Sequence, residues 1–414
     1  MTIKFHVISD EGSAFPLAWR LQRDGHDVTM EVTKKPSERT GEGLVPRASA
    51  PAKGAIVICD ATGQGKRGAA LRAQGFAVIG GNAFDKELEL DRPEGARIMR
   101  LAGIKTPPTF PFKRYEDAQD FLKGAKGAWF VKVSGAAAAG GASTYDASDA
   151  TAMIRYLAWC ATKGECKPFE LQQKIDGTEV SCNGWFDGEK FVTPFDLTLE
   201  EKRFMSGDLG QRTGCESCLV WHAAADTLGK RTVARIADDL RRERYVGPVD
   251  CNSLVADDGT PVGLEWTARL GFDATQAWMR LFDRTLGAQL AAFAHGELRH
   301  WEGRGRLSGV LRVSVPPYPS EEDKELAKAA GLPVDRVVLV DHDIDPQDVT
   351  ARAEVVGGSC IVCTVGAVGD DLARIREDIL RKADDLEIPN KQFRNDPLAR
   401  AERDLAELRR LKLA

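Results

Sequence analysis

The sequence predicts a multidomain protein of mixed α/β and α+β class, and three observations carry that prediction. Strand-like and helix-like runs alternate over residues 3–80, which implies a parallel, doubly wound sheet. A dense series of short strands then runs to about residue 306, the mark of α+β units built on antiparallel sheets. The chain of 414 residues is too long for one ordinary domain.

The elements follow in order. Residues 3–8 read as a strand, 14–24 as a helix, 54–60 as a strand, 65–75 as a helix and 76–80 as a short strand. The stretch 33–53, rich in Pro, Gly, Ser and Lys, reads as a loop. A helix at about 92–102 leads into Gly103-Ile104-Lys105-Thr106-Pro107-Pro108-Thr109, where the prolines break the element. Beyond it strands are predicted at 128–133, 168–175, 179–186, 190–195, 248–255 and 261–266, with helices at 115–123, 148–163, 227–243 and 275–295. Strands at 309–315, 336–341 and 359–365 with a helix at 368–386 make a small C-terminal unit, and 396–410 reads as a charged, solvated helix. The domains expected are therefore 1–91, 92–306 (with a small lid over about 107–173) and 307–414.

Composition narrows the function classes. With 43% hydrophobic and 29% charged residues the chain can bury large cores. A net charge of −5 with both signs interspersed marks neither a nucleic-acid-binding nor a membrane-facing surface. No apolar stretch approaches membrane-spanning length, and the start reads as a strand rather than a signal peptide. Nine cysteines suit a reducing cytoplasm better than a disulfide framework. Two pairs, Cys215/Cys218 and Cys360/Cys363, have metal-like spacing, but strand alternation sends the second pair to opposite faces; buried thiols are the expectation.

Two strand ends carry the chemistry. Lys132 ends the run Ala128-Trp129-Phe130-Val131-Lys132-Val133 and is followed by Ser134-Gly135-Ala136-Ala137-Ala138-Ala139-Gly140-Gly141. A cation leaving a strand into a small-residue loop suits phosphates, because backbone amides approach closely and the lysine supplies charge. Glu265 ends Val262-Gly263-Leu264-Glu265, and a carboxylate there suits the Mg2+ that accompanies phosphates. Between them, residues 171–181 read as strand, Asp176-Gly177 turn and strand. Its backbone edge can read an adenine while Glu179 accepts from ribose hydroxyls. Gly63-Gln64-Gly65-Lys66-Arg67-Gly68 matches the dinucleotide fingerprint. It does not follow the first strand, and no acidic residue closes the next one, so a crossover turn is the better reading. It is what supports an oxidoreductase alternative.

In order and spacing these pieces resemble the ATP-grasp superfamily, and within it the phosphoribosylamine–glycine ligase family. The likeness spans nearly the whole chain. Phe130-Val131-Lys132-Val133-Ser134-Gly135 resembles the family's Val-Val-Lys-Ala-Asp-Gly, and Asp176-Gly177-Thr178-Glu179-Val180-Ser181 its Asp-Gly-Glu-Glu-Ala-Ser. Glu265-Trp266-Thr267-Ala268-Arg269-Leu270-Gly271 resembles Glu-Phe-Asn-Cys-Arg-Phe-Gly, and Asp91-Arg92 the Ser-Lys that opens the central domain. Lys202-Arg203 with Gly207-Asp208-Leu209-Gly210 resembles the segment over the reacting acyl group.

The resemblance implies a central ATP-grasp fold, ATP and Mg2+ (or Mn2+) as cofactors, and small-molecule substrates for a monomer or homodimer. It also implies a two-step reaction through an acyl phosphate. Arg92 and Lys132 would hold phosphates, with Gly135, Gly140 and Gly141 around them; Gln172, Gln173, Ile175 and Glu179 would hold the nucleoside. Glu265, Thr267 and Asn252 would serve the metal. Arg269 would meet the γ-phosphate, and Lys202, Arg203 and Asp208 the acyl group.

The departures are expectations too. The family's Gly-Ser-Gly-Gly-Arg-Glu-His loop, which grips phosphoribosylamine, is here Ser9-Asp10-Glu11-Gly12-Ser13-Ala14-Phe15. Two carboxylates replace an arginine and would repel a sugar phosphate. The lid's Gly-Lys-Gly is Ala139-Gly140-Gly141, and Thr267 stands at the metal-binding asparagine. The function expected is an ADP-forming ligase joining glycine or another small amino acid to an amine other than 5-phosphoribosylamine, possibly a nucleotide or modified sugar. Authentic phosphoribosylamine–glycine ligase comes second, and a non-catalytic nucleotide-binding relative third.

Overall fold

A computed structural model describes residues 2–133, 144–163, 166–303, 306–319, 344–347, 349–350, 354–356 and 360–413. The predicted strand 336–341 and the loop containing Gly135, Gly140 and Gly141 lie outside the described residues.

Four strands, β1 (Lys4–Ser9), β2 (Asp27–Val32), β3 (Ile56–Cys59) and β4 (Val78–Ile79), form a parallel sheet in the order β2-β1-β3-β4. Helices Phe15–Arg23 and Gly65–Ala73 make its crossovers. The sequence prediction missed β2, although Val28 and Met30 alternate with polar neighbours and are buried. The glycines of the fingerprint-like turn serve packing: a Cβ on Gly68 would lie 2.0 Å from the Gly81 carbonyl oxygen.

A second sheet, β5 (Thr109–Phe112), β6 (Trp129–Val133), β7 (Thr144–Ala147) and β8 (Phe169–Gln173), runs antiparallel in the order β5-β8-β6-β7. Helices Tyr115–Leu122 and Ala150–Ala161 cover it, and Leu122, Trp129, Met153, Leu157 and Leu171 form its own small core.

The third sheet has eight strands. β9 (Thr178–Phe186), β10 (Phe191–Met205), β11 (Leu209–His222), β12 (Gly247–Val255), β13 (Pro261–Thr267), β14 (Leu307–Ser314), β15 (Ile344–Pro346) and β16 (Ile361–Gly369) assemble as β13-β12-β9-β10-β11-β14-β16-β15. The long β10–β11 hairpin was only partly foreseen. No strand is predicted over its residues 209–222, yet Cys215 through Trp221 are buried. The helix expected over 227–243 is broken at Thr232, whose buried hydroxyl donates to the Leu228 carbonyl at 2.7 Å. The one expected over 275–295 is two, Ala274–Arg280 and Leu286–Ala294, separated where Asp283 accepts from the Thr285 amide. None of the nine cysteines is in a disulfide, and Cys215, Cys218, Cys360 and Cys363 are buried, in line with the buried-thiol expectation for both spaced pairs.

Candidate active site

One face of the large sheet gathers the polar groups, and strand alternation decides which. Asn252 of β12 lies opposite Glu265 of β13, and Asp250 opposite Thr267. On the other side of β12, Asn252 pairs with Ser181 and Leu254 with Glu179; Ser181 in turn pairs with Thr198 of β10. Residues two apart share a face, so Glu179, Ser181, Glu200, Lys202, Asp250, Asn252, Glu265 and Thr267 come together. Contacts agree: Lys202 Nζ lies 2.9 Å from Glu179 Oε1 and 3.3 Å from Glu200 Oε2, and Asn252 Nδ2 donates to Glu179 Oε1 at 3.0 Å.

Two cations reach this face from outside the sheet. Arg92, first residue of helix Arg92–Leu101, places Nη1 3.2 Å from Glu265 Oε2. Asp91 caps that helix by accepting from the Glu94 amide at 3.1 Å. Lys132 projects from β6, which pairs it with Glu170 of β8. Only 9% of Lys132 is exposed, and it has no ion-pair partner among the described residues.

The electrostatics are those of a site built for a highly charged guest. Loss of water brings the Lys132 ammonium down to about 8; Glu265 opposes this, while Arg92 and Lys202 add to it. Burial alone would raise Glu265, but Arg92, Lys202 and Lys132 hold it well below the usual carboxylate range. Burial also opposes ionised Glu179, yet Lys202 and Asn252 bring it to about 2. Asp250 is pushed up to about 8 by burial and by Glu200. Three cations and a set of carboxylates at one end of two sheets can hold a polyanion with a divalent cation. With its amide nitrogen committed to Glu179, Asn252 keeps its oxygen available; with the Glu265 carboxylate and Thr267 hydroxyl it makes a hard-oxygen set that suits Mg2+. Among the described residues no three His, Cys, Asp or Glu side chains form a cage of their own, so such a cation would need phosphate oxygens as well.

The other expected residues fall around this centre. Arg269 turns to Glu89, Nε to Oε1 at 3.0 Å, with its guanidinium 4.3 Å from the Phe272 ring centroid. Arg203 binds Asp146 of β7 through Nη2 at 2.6 and 2.8 Å, and Arg212 joins the same carboxylate at 3.3 Å. Asp208 is at the hairpin tip, paired with Arg394 at 3.3 Å and Arg400 at 3.4 Å. Gln172 is buried on β8 with Nε2 3.3 Å from Thr109 Oγ1, the Gln173 backbone amide donates to the Pro108 carbonyl at 2.9 Å, and Ile175 follows the strand half-buried. Sequence reasoning passed over Glu200, Asp250 and Asp146. The first two stand two residues before Lys202 and Asn252, so strand periodicity was the signal that finds them.

The family model for the phosphoribosylglycinamide synthetase ATP-grasp (A) domain matches residues 95–275. Residues 95–275 are an ATP-grasp domain. Phosphoribosylamine–glycine ligase of Corynebacterium ammoniagenes is 25% identical over 345 residues, covering 79% of this chain and 77% of that protein. The crystal structure of phosphoribosylamine–glycine ligase from Thermotoga maritima superimposes with a TM-score of 0.72 at 17% identity, over 95% of this chain and all of that one. The biotin carboxylase domain of Hydrogenobacter thermophilus 2-oxoglutarate carboxylase, solved with MgADP and bicarbonate, gives 0.60 at 11% identity over 95% and 92%. These matches point to an ATP-grasp ligase and away from the oxidoreductase alternative. No helix among the described residues is long and apolar enough to cross a membrane.

Proposed function

We propose that this ATP-grasp ligase uses MgATP to join glycine or another small amino acid, through an acyl phosphate, to an amine other than 5-phosphoribosylamine. The amino acid's carboxylate attacks the γ-phosphorus, forming an O–P bond as the β–γ bridge breaks and ADP leaves. The amine then attacks the acyl carbon, expelling phosphate and losing a proton. Catalysis of both steps is mostly charge placement. Lys132 and Arg92 hold phosphate oxygens, and Arg269 faces the transferring group once released from Glu89. Lys202 and Arg203 flank the acyl group. Glu265, Asn252 and Thr267 would hold Mg2+, which would supply charge compensation for the transferring phosphoryl group. Glu179 keeps Oε2 for a ribose hydroxyl, and the Gln172–Ile175 edge meets the adenine.

The observation that carries the acceptor assignment is the seat of Asp60. This buried carboxylate, at the end of β3, accepts from Ala14 N at 3.0 Å, Ser13 Oγ at 2.9 Å and Asp10 N at 3.3 Å, and from Ser9 Oγ. Those donors lie at the N-terminus of helix Phe15–Arg23, where a sugar phosphate would otherwise dock. An internal anion already fills that place. The second reading, authentic phosphoribosylamine–glycine ligase, is favoured by the relatives' names. Purified protein given MgATP, glycine and freshly generated phosphoribosylamine decides between them. Under our proposal ADP appears no faster than without the amine, and a purine-requiring host is not rescued. Amine-dependent ADP release with rescue would establish the second reading.

A further inference from the structure

The parallel sheet has its switch in strand order between β1 and β3: the chain goes from β1 out to β2, then crosses back to β3. Ligands of open α/β sheets bind outside the carboxyl ends of the strands at such a point. Here that crevice holds Asp10 after β1 and Asp60 after β3. Its far wall is continuous with the charged centre: Thr62 donates to Glu89 at 2.7 Å, and Glu89 holds Arg269.

The cations around the crevice are engaged by other carboxylates, Arg67 by Glu31 at 2.7 Å. Lys34 is taken by Glu11 at 2.7 Å and Arg269 by Glu89 at 3.0 Å. Lys66 and Lys86 are exposed at the rim. Asp10, Asp60 and Asp85 remain without an ion-pair partner among the described residues. Asp85 instead accepts from the Gly63 amide at 3.1 and 3.2 Å. Gly12 fixes the loop: its φ is +86°, and a Cβ there would lie 2.6 Å from Thr40 Cγ2.

A second, independent feature asks for a donor. Gln64, 8% exposed, donates Nε2 to Asp10 Oδ1 at 2.8 Å. A carboxylate cannot donate back, so the amide orientation is fixed and Gln64 Oε1 is the oxygen left over. It is buried with no hydrogen-bond partner. An orphaned acceptor beside an unpaired carboxylate is a costly arrangement until an N–H fills it.

We propose that this crevice takes a phosphate-free primary amine bearing a second cationic group, with Asp10 as its main contact and Gln64 completing the hydrogen-bond set. The proposal rests on the ligase reading only in making this guest the acceptor. The added cation would neutralise Asp10, while the free amine group points toward the acyl phosphate beyond Glu89 and Arg269.

Thermal shift and calorimetry on the full-length protein test it with two probes, 1,4-diaminobutane and ribose 5-phosphate. The diamine is expected to raise Tm and bind saturably, and ribose 5-phosphate to do neither. Asp10→Asn, which keeps the shape of the loop, and Gln64→Leu should each weaken diamine binding at least tenfold while leaving the MgATP-induced shift unchanged. Stabilisation by ribose 5-phosphate, no response to the diamine, or diamine binding unaffected by Asp10→Asn would each overturn the proposal. Failure of the ligase reading looks different: diamine binding would persist, but no ADP would form from MgATP with any pairing of amino acid and amine.

Discussion

Lys132 is the residue whose chemistry is most exposed to test. Its ammonium, brought to about 8 by lost hydration, must be protonated to hold phosphate. The sign follows: affinity for MgATP is full below that pH and declines as pH rises through it, because the bare amine no longer attracts the anion. Bound phosphates raise the value again, so the loss should appear in KM before kcat. A KM for MgATP that stays flat between pH 7 and pH 9.5 would contradict the assignment. The metal set gives a second residue-scale prediction. A threonine hydroxyl reaches less far than an asparagine carbonyl, and Mg2+ is strict about ligand distances of roughly 2.0–2.1 Å. Thr267→Asn should therefore lower the Mg2+ concentration for half-maximal activity, and Asn252→Ala should raise it. Titrating Mg2+ against rate in the two variants settles whether this face is the metal site. Lys132 and Glu265 were legible in the sequence because each ends an apolar strand beside small or charged residues. Glu200 and Asp250 could be placed on that face only through strand periodicity, two residues before Lys202 and Asn252, and their partners appear once β10 and β12 are laid beside β9.

At the scale of elements, one carboxylate ties the small sheet to the large one. Asp146 of β7 takes both Arg203 of β10 and Arg212 of β11, and Arg212 also lies 5.4 Å from the Phe130 ring centroid on β6. Because β6 carries Lys132, this contact sets how closely the lysine approaches Glu265. A charge-assisted hydrogen bond contributes on the order of 1.5–3 kcal/mol. Asp146→Ala should accordingly raise KM for MgATP by about 10-fold or more, leave the melting of the large sheet unchanged, and speed proteolysis of the small one. Unaltered KM with unaltered proteolysis would show that the two sheets are held by something else. The elements themselves were largely readable from periodicity, since most run strand or helix over a buried stripe. The exceptions have local causes. A β-branched pair, Thr232-Val233, interrupts one helix, and an aspartate that caps the next turn interrupts another. The far strand of the hairpin was hidden by Gly210 and Gly214, which read as loop.

Across the whole molecule, the large sheet runs unbroken from β13 to β15, so strands beyond residue 306 continue the sheet that bears the charged centre. The C-terminal segment returns to the same place. Arg394, 1% exposed, bonds the Arg203 carbonyl at 3.0 Å, and the Leu398 amide donates to Glu201 at 2.9 Å. Glu201 and Arg203 flank Lys202, so the tail braces the strand that places the lysine. That long-range brace could not be read from the tail's sequence, where the same charges suit a solvated helix. The ATP-grasp architecture could, because its motifs keep their order over most of the chain. The central claim is that this assembled face transfers the γ-phosphoryl group of ATP to an amino acid's carboxylate. Positional isotope exchange tests it most directly, with ATP labelled by oxygen-18 at the β–γ bridge and a panel of small amino acids. We predict amino-acid-dependent scrambling of the label into the β-phosphate's non-bridging positions, reduced about 10²–10³-fold in Lys132→Ala and in Glu265→Ala. No scrambling with any amino acid, or scrambling that survives both substitutions, would contradict the account.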